Sequence, residues 1–220
     1  MAPNGSGSPS TKSLVLVPAL ITLAVTLLRL TGELMGWSPV FFARTAGGAG
    51  AIVGIVWLVP VFGFLFARRL AESEPAPRGL PVIGNALLAI AVMVVCGVLA
   101  VGVLKVGQNA HFIVFFVAGV VAAWIAYRAW PRLGQLLLVY GLAARVPVII
   151  VMLFAIYANW GTHYDVSPPN FPEMAPFGKW FLIGFLPQIF LWVPFTMFIG
   201  ALCGGLALLI PGTRRQFFTA

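Results

Sequence analysis

The chain has 220 residues, of which 61% are hydrophobic and only 8% charged, with a mean hydropathy of +1.03 and a formal net charge of +8. Soluble domains of this length carry about 25% charged residues because their surface faces water. So few charges exclude a water-exposed globular enzyme, a disordered chain and a nucleic-acid-binding domain, and leave lipid as the solvent. The 13 Lys and Arg are scattered between apolar runs instead of forming one patch, which suits membrane orientation and not nucleic acid.

Residues 1–12 are polar, rich in Gly, Ser and Pro, and read as a disordered tail. The first apolar run, 13–34, exceeds the ~7–15 residues of a signal-peptide core and lacks a small-residue cleavage site, so it reads as a retained span. Further runs follow at 46–67, 80–104, 111–127, 133–157 and 180–210. A helix needs ~20 predominantly apolar residues to cross ~30 Å of hydrocarbon. The last run is longer and should tilt or kink. Helices satisfy their own backbone in lipid, and no run shows the alternation of a barrel strand. The expected fold is therefore an all-α polytopic transmembrane bundle of six spans over 13–210, with a loop at 158–178 outside the cytoplasm and a cytoplasmic tail at 211–220.

Basic residues test that count. Six spans put Lys12, Arg68, Arg69, Arg78, Arg128, Arg132, Arg214 and Arg215 on one side, and Arg44, Lys105 and Lys179 on the other. The positive-inside rule then places both termini in the cytoplasm and the protein in the inner, or plasma, membrane. Gly50 and Gly54 in span two and Gly200 and Gly204 in span six form GxxxG patterns, which let helix backbones approach. Pro18, Pro60, Pro147, Pro187 and Pro194 lie within spans and predict kinks. Cys96 and Cys203 stand alone in apolar runs and read as buried thiols.

Ionisable residues inside a span are costly and worth explaining. Arg145 lies twelve residues into span five, about 18 Å along it and near the midplane. Insertion scales set an Arg there at about 2.5–3.5 kcal/mol. It either pins helices through carbonyl hydrogen bonds, with the Ala143 carbonyl exposed by Pro147, or serves a polar path, or snorkels. Arg29 and Glu33 form an i,i+4 pair in the outer part of span one, and Glu33 is also a candidate partner for Arg145 across the bundle. Gln188 beside Pro187 suits an interhelical hydrogen bond.

The outer loop holds His163, Asp165 and Glu173 among prolines that stiffen it, and His111 starts span four on the same side. These four are the candidates for an outer-face acid–base or metal site, although HxD alone is weak and a satisfied surface loop is the plainer expectation. Trp160, Tyr164, Phe171 and Trp180 suit an aromatic belt. P-loop, HExxH, GxSxG and dinucleotide patterns are missing, and no catalytic residue, metal or cofactor is expected. The stretch Gly134-Gln135-Leu136-Leu137-Leu138-Val139-Tyr140-Gly141 resembles a helix of Yip1-domain membrane proteins, over too little of the chain to carry a function.

The sequence favours a non-catalytic structural, accessory or interaction component, whose partners are the bilayer and a second copy or another membrane protein. The second reading is a small channel or transporter with a polar path at Arg145, Arg29 and Glu33; the third is a membrane enzyme with an outer-face His/Asp/Glu site. A dry bundle with Arg145 capped by carbonyls separates the first from the second, which needs a cavity reaching that residue.

Overall fold

The computed structural model describes residues 10–48, 50–104, 108–169 and 171–211. Among these, six helices and irregular segments make up the fold, and there is no strand. They are α1 (Thr11–Leu34), α2 (Leu58–Ser73), α3 (Gly79–Val98, continued by a π-helical turn over Leu99–Val103), α4 (Gln108–Ala129), α5 (Pro131–Ala158) and α6 (Pro176–Ala207). All but α2 are long and apolar enough to cross a bilayer, so the architecture is that of a multi-pass membrane protein. The expected tails at 1–12 and 211–220 lie mostly outside the described residues, as do Lys105, Arg214 and Arg215.

Local chemistry sets most helix ends. Ser10 caps α1 by accepting the Ser13 amide at 3.1 Å. Proline occupies the first turn of α5 and of α6, where its missing N–H costs nothing. Asn159 ends α5 in the left-handed region, with φ of 50°. The 32 residues of α6 would run about 48 Å as ideal helix, longer than the hydrocarbon is thick. Two π-helical stretches, Trp180–Phe185 and Gln188–Trp192, flank Pro187 and interrupt its regular turns.

The second expected span needs correction. Residues 46–48 and 50–57 are not α-helical, and α2 has only 16 residues, about 24 Å of rise. Gly47, Gly48 and Gly50 hold φ of +70°, +74° and +81°, outside any right-handed helix. Hydropathy counts Gly and Ala as apolar and does not see this. Gly50 and Gly54 are therefore not a helix-packing pair: a Cβ on Gly50 would meet nothing, and one on Gly54 would meet the Arg29 guanidinium at 3.2 Å. Gly200 and Gly204 do lie where backbones meet. A Cβ on Gly63 of α2 would sit 2.5 Å from Gly200 Cα, and one on Gly204 would press on Leu133 and Ala67.

Around that crossing, Leu70, Leu133, Leu136, Leu137 and Tyr140 are fully buried, with Phe62 and Phe66 meeting Tyr140 edge-on at 5.3 and 5.7 Å. Leu16, Leu20 and Leu28 of α1, and Leu87, Val94 and Val98 of α3, stay exposed where lipid would lie. At one end of the bundle Arg132 donates to Thr11 at 2.8 Å and meets Glu74 at 3.3 Å, while Gly79 packs on Gly205. The starts of α1, α3 and α5 and the ends of α2 and α6 thus gather there.

Candidate functional site

The opposite end carries the polar chemistry. Thr22, Thr26, Arg29 and Glu33 recur along α1 at spacings of four, three and four, so they share one face. All four are buried. Thr22 donates to the Pro18 carbonyl at 2.8 Å and, its only proton used, accepts from the Tyr140 hydroxyl at 2.8 Å. Tyr164 reaches the Thr26 carbonyl at 3.3 Å. In a bundle immersed in lipid a polar stripe can only face protein or water, and here it faces α5 and the outer loop.

Glu33 is fully buried and anchors this end. One carboxylate oxygen accepts from Arg29 Nε at 2.8 Å and lies 2.5 Å from His163 Nδ1; the other accepts the His163 amide at 2.8 Å. The Glu33 carbonyl accepts from Arg44, which closes the end of α1. Arg29 also donates through Nη2 to the carbonyls of Ala43 and Gly48 at 3.1 and 3.0 Å. These bonds satisfy backbone that forms no helix, the condition for irregular chain at membrane depth. Gly48 is needed there: a Cβ would fall 2.9 Å from the His163 ring and 3.2 Å from Arg29, with φ already positive.

The loop after α5 folds back on the bundle through its own turn. Asp165 accepts from the Gly161 amide, the Thr162 amide and the Thr162 hydroxyl at 2.9, 2.7 and 2.7 Å. That turn presents His163 to Glu33 and stacks it on Tyr164, ring centroids 3.8 Å apart. Tyr164 is therefore buried and no headgroup-belt residue, and Trp180 donates to the Ile149 carbonyl at 3.0 Å. Burial pushes the His163 imidazole below its ordinary value, opposed by the bond to Glu33; Arg29 pushes the same way as burial, and Asp165 against it.

Beside this cluster is a cavity of about 300 Å³ between α1, the irregular segment, α5, the loop and α6. Its walls are mostly apolar, among them Phe112, Val148, Leu182 and Leu191. Arg145 lines it while being only 4% exposed. The guanidinium donates to Gln188 Oε1 at 3.3 Å and lies 4.7 Å from the centre of the Trp192 ring. Its Nε is buried without a hydrogen-bond partner, and no carboxylate among the described residues pairs with it. Gln188 is steadied through Nε2 by Met152 Sδ at 3.8 Å.

Two expectations for Arg145 are thus corrected. Glu33 is taken by Arg29 and His163, and the Ala143 carbonyl is not its hydrogen-bond partner. The outer-face candidates do not gather either: Asp165 holds the loop turn, Glu173 is exposed, and His111 stacks on Phe115 at 5.9 Å. Among the described residues no three His, Cys, Asp or Glu side chains are grouped to hold a metal. Sequence reasoning missed Thr22 and Thr26, whose signal was the i, i+4, i+7, i+11 polar stripe in α1, and read Tyr164 as a belt residue instead of part of this site. It also missed Trp192, which follows Gln188 by one helical turn. Compared with protein-family models, curated proteins and solved structures, the chain matches none of them.

Removing the Glu33 carboxylate strands a buried arginine. Glu33→Ala should lower unfolding free energy by about 3–5 kcal/mol, seen in denaturant unfolding in detergent. Because Glu33 and Arg145 form no pair, Glu33→Gln and Arg145→Leu should add within about 0.5 kcal/mol; a larger coupling would contradict the separation. His163 binds a proton less readily folded than unfolded, so the unfolded chain holds more protons near its ordinary value of about 6.5. Stability should fall as pH drops through that value, and the thermal midpoint of His163→Gln should fall less steeply over the same range.

Proposed function

We propose that this is a six-span inner-membrane protein with both termini cytoplasmic, and that it binds an anion at Arg145 in the manner of a carrier. The observation that carries the reading is Arg145 itself, a buried guanidinium lining a cavity, with its Nε–H unpartnered and no carboxylate partner among the described residues. A neutral amide and a ring face offset only part of the cost of an arginine at membrane depth. An anionic ligand would supply the missing charge. The accessory reading relied on a dry bundle with carbonyls around Arg145, and Gln188, Trp192 and the cavity stand there instead.

Two features favour a carrier over a static receptor. The irregular segment at 35–48 and 50–57 brings non-helical backbone to the cavity, and α6 is broken at Pro187 beside Gln188. Discontinuous helices at a midplane site are the usual build of transporters. In this reading the irregular segment and the short α2 together make the second crossing, which returns the chain to the end where Arg132 meets Thr11 and Glu74.

Anion binding should raise the thermal midpoint of the purified protein in detergent. Among acetate, phosphate, sulfate and hexanoate, at least one should stabilise the wild type by several degrees and leave Arg145→Gln unmoved; a flat response to all four, or an equal response in the variant, would overturn the reading. For topology, in a chain with Cys96 and Cys203 replaced by Ser, a membrane-impermeant maleimide should label Glu173→Cys in intact cells and Lys12→Cys only after permeabilisation. Labelling both from one side would refute six spans.

A further inference from the structure

We infer that the ligand of this cavity is a monocarboxylate with an apolar body, an inference that rests on the anion-binding reading of Arg145. The charge balance around the cavity sets the ligand's valence. Arg29 is matched by Glu33 at 2.8 Å, and His163 shares that same carboxylate. Asp165 is occupied by three donors of its own loop. Among the described residues, Arg145 remains as one positive charge with no carboxylate partner. A second negative charge on the ligand would enter a mostly apolar space whose other lining cation, Arg29, is already paired with Glu33.

Geometry narrows the head group. A guanidinium is a planar fork, and its Nε–H with a neighbouring Nη–H matches the two oxygens of a carboxylate. In Arg145 the Nε–H is free and the bond to Gln188 is made through Nη1. The Nε edge therefore has no protein partner, in a side chain that lines the cavity. Gln188 and Trp192 hold the fork from its other sides, so it is preorganised. Phe112, Val148, Leu182 and Leu191 then offer only apolar contact to the remainder of the ligand. A volume of about 300 Å³ is at the small end of the range for ligand sites, which favours a short acyl or aromatic body.

The probes are hexanoate, its dianionic counterpart adipate, its neutral counterpart hexanamide, and inorganic phosphate, titrated calorimetrically into the full chain in lipid nanodiscs. Hexanoate should bind about tenfold or more tightly than each of the other three. Arg145→Gln should abolish the preference for hexanoate over hexanamide, while Arg145→Lys, which keeps the charge without the fork, should retain part of it. The wild-type ranking stands even if a variant fails to fold. Adipate or phosphate binding as tightly as hexanoate, and depending on Arg145, would overturn the monocarboxylate inference and leave anion binding intact. Equal binding of hexanamide would overturn it by showing apolar contact alone. No Arg145-dependent binding of any anion would sink both. Dodecanoate in the same series separates a soluble short acid from a membrane-derived acyl chain, and tighter binding of either carboxylate than of the neutral probe supports the class.

Discussion

An ion removed from water must find its compensation within the protein, and the half of this molecule around the end of α1 is arranged around that requirement. Glu33 has no exposure, and a carboxylate so placed is tolerable only with charged or strongly polar partners. It takes them from two parts of the chain, Arg29 one turn back on α1 and the backbone and ring of His163 from the loop after α5, while Arg44 of the irregular segment binds the Glu33 backbone carbonyl. Arg29 extends the network by holding the Ala43 and Gly48 carbonyls. One buried acid thereby ties a helix end, a non-helical insertion and a distant loop into a single unit.

Arg145 is the counterexample within the same fold. It is as buried as Arg29, yet its contacts are a side-chain amide, an indole face and open space. The two arginines differ in what surrounds them, not in depth of burial. Arg29 has a carboxylate and two carbonyls and so has a complete structural role. Arg145 is held in place without a carboxylate among the described residues, and that imbalance is the physical basis for proposing a ligand there.

The glycines divide along the same line. Gly63, Gly200 and Gly204 remove side chains so that α2 and α6 touch, and Gly119 does so where α4 meets the Phe190 carbonyl. Gly48 and Gly54 remove them so that a guanidinium and an imidazole fit against backbone. The first group builds the bundle; the second makes room for the charged cluster. The second π-helical stretch of α6, Gln188–Trp192, carries both Gln188 and Trp192 to Arg145.

Composition and periodicity by themselves determined the all-helical, membrane-embedded class, because lipid leaves the backbone few options and long apolar runs are visible one residue at a time. They also singled out Arg145, Arg29, Glu33 and Gln188, since a polar group at membrane depth stands out against its neighbours. Only tertiary structure decided who partners whom. The pairing of Glu33 with His163, across 130 positions, and the isolation of Arg145 depend on how the loop turn at Thr162–Asp165 folds back, which no local pattern records. The unwound stretch before α2 was likewise hidden, because hydropathy weighs glycine by its transfer energy and not by the φ angles it adopts.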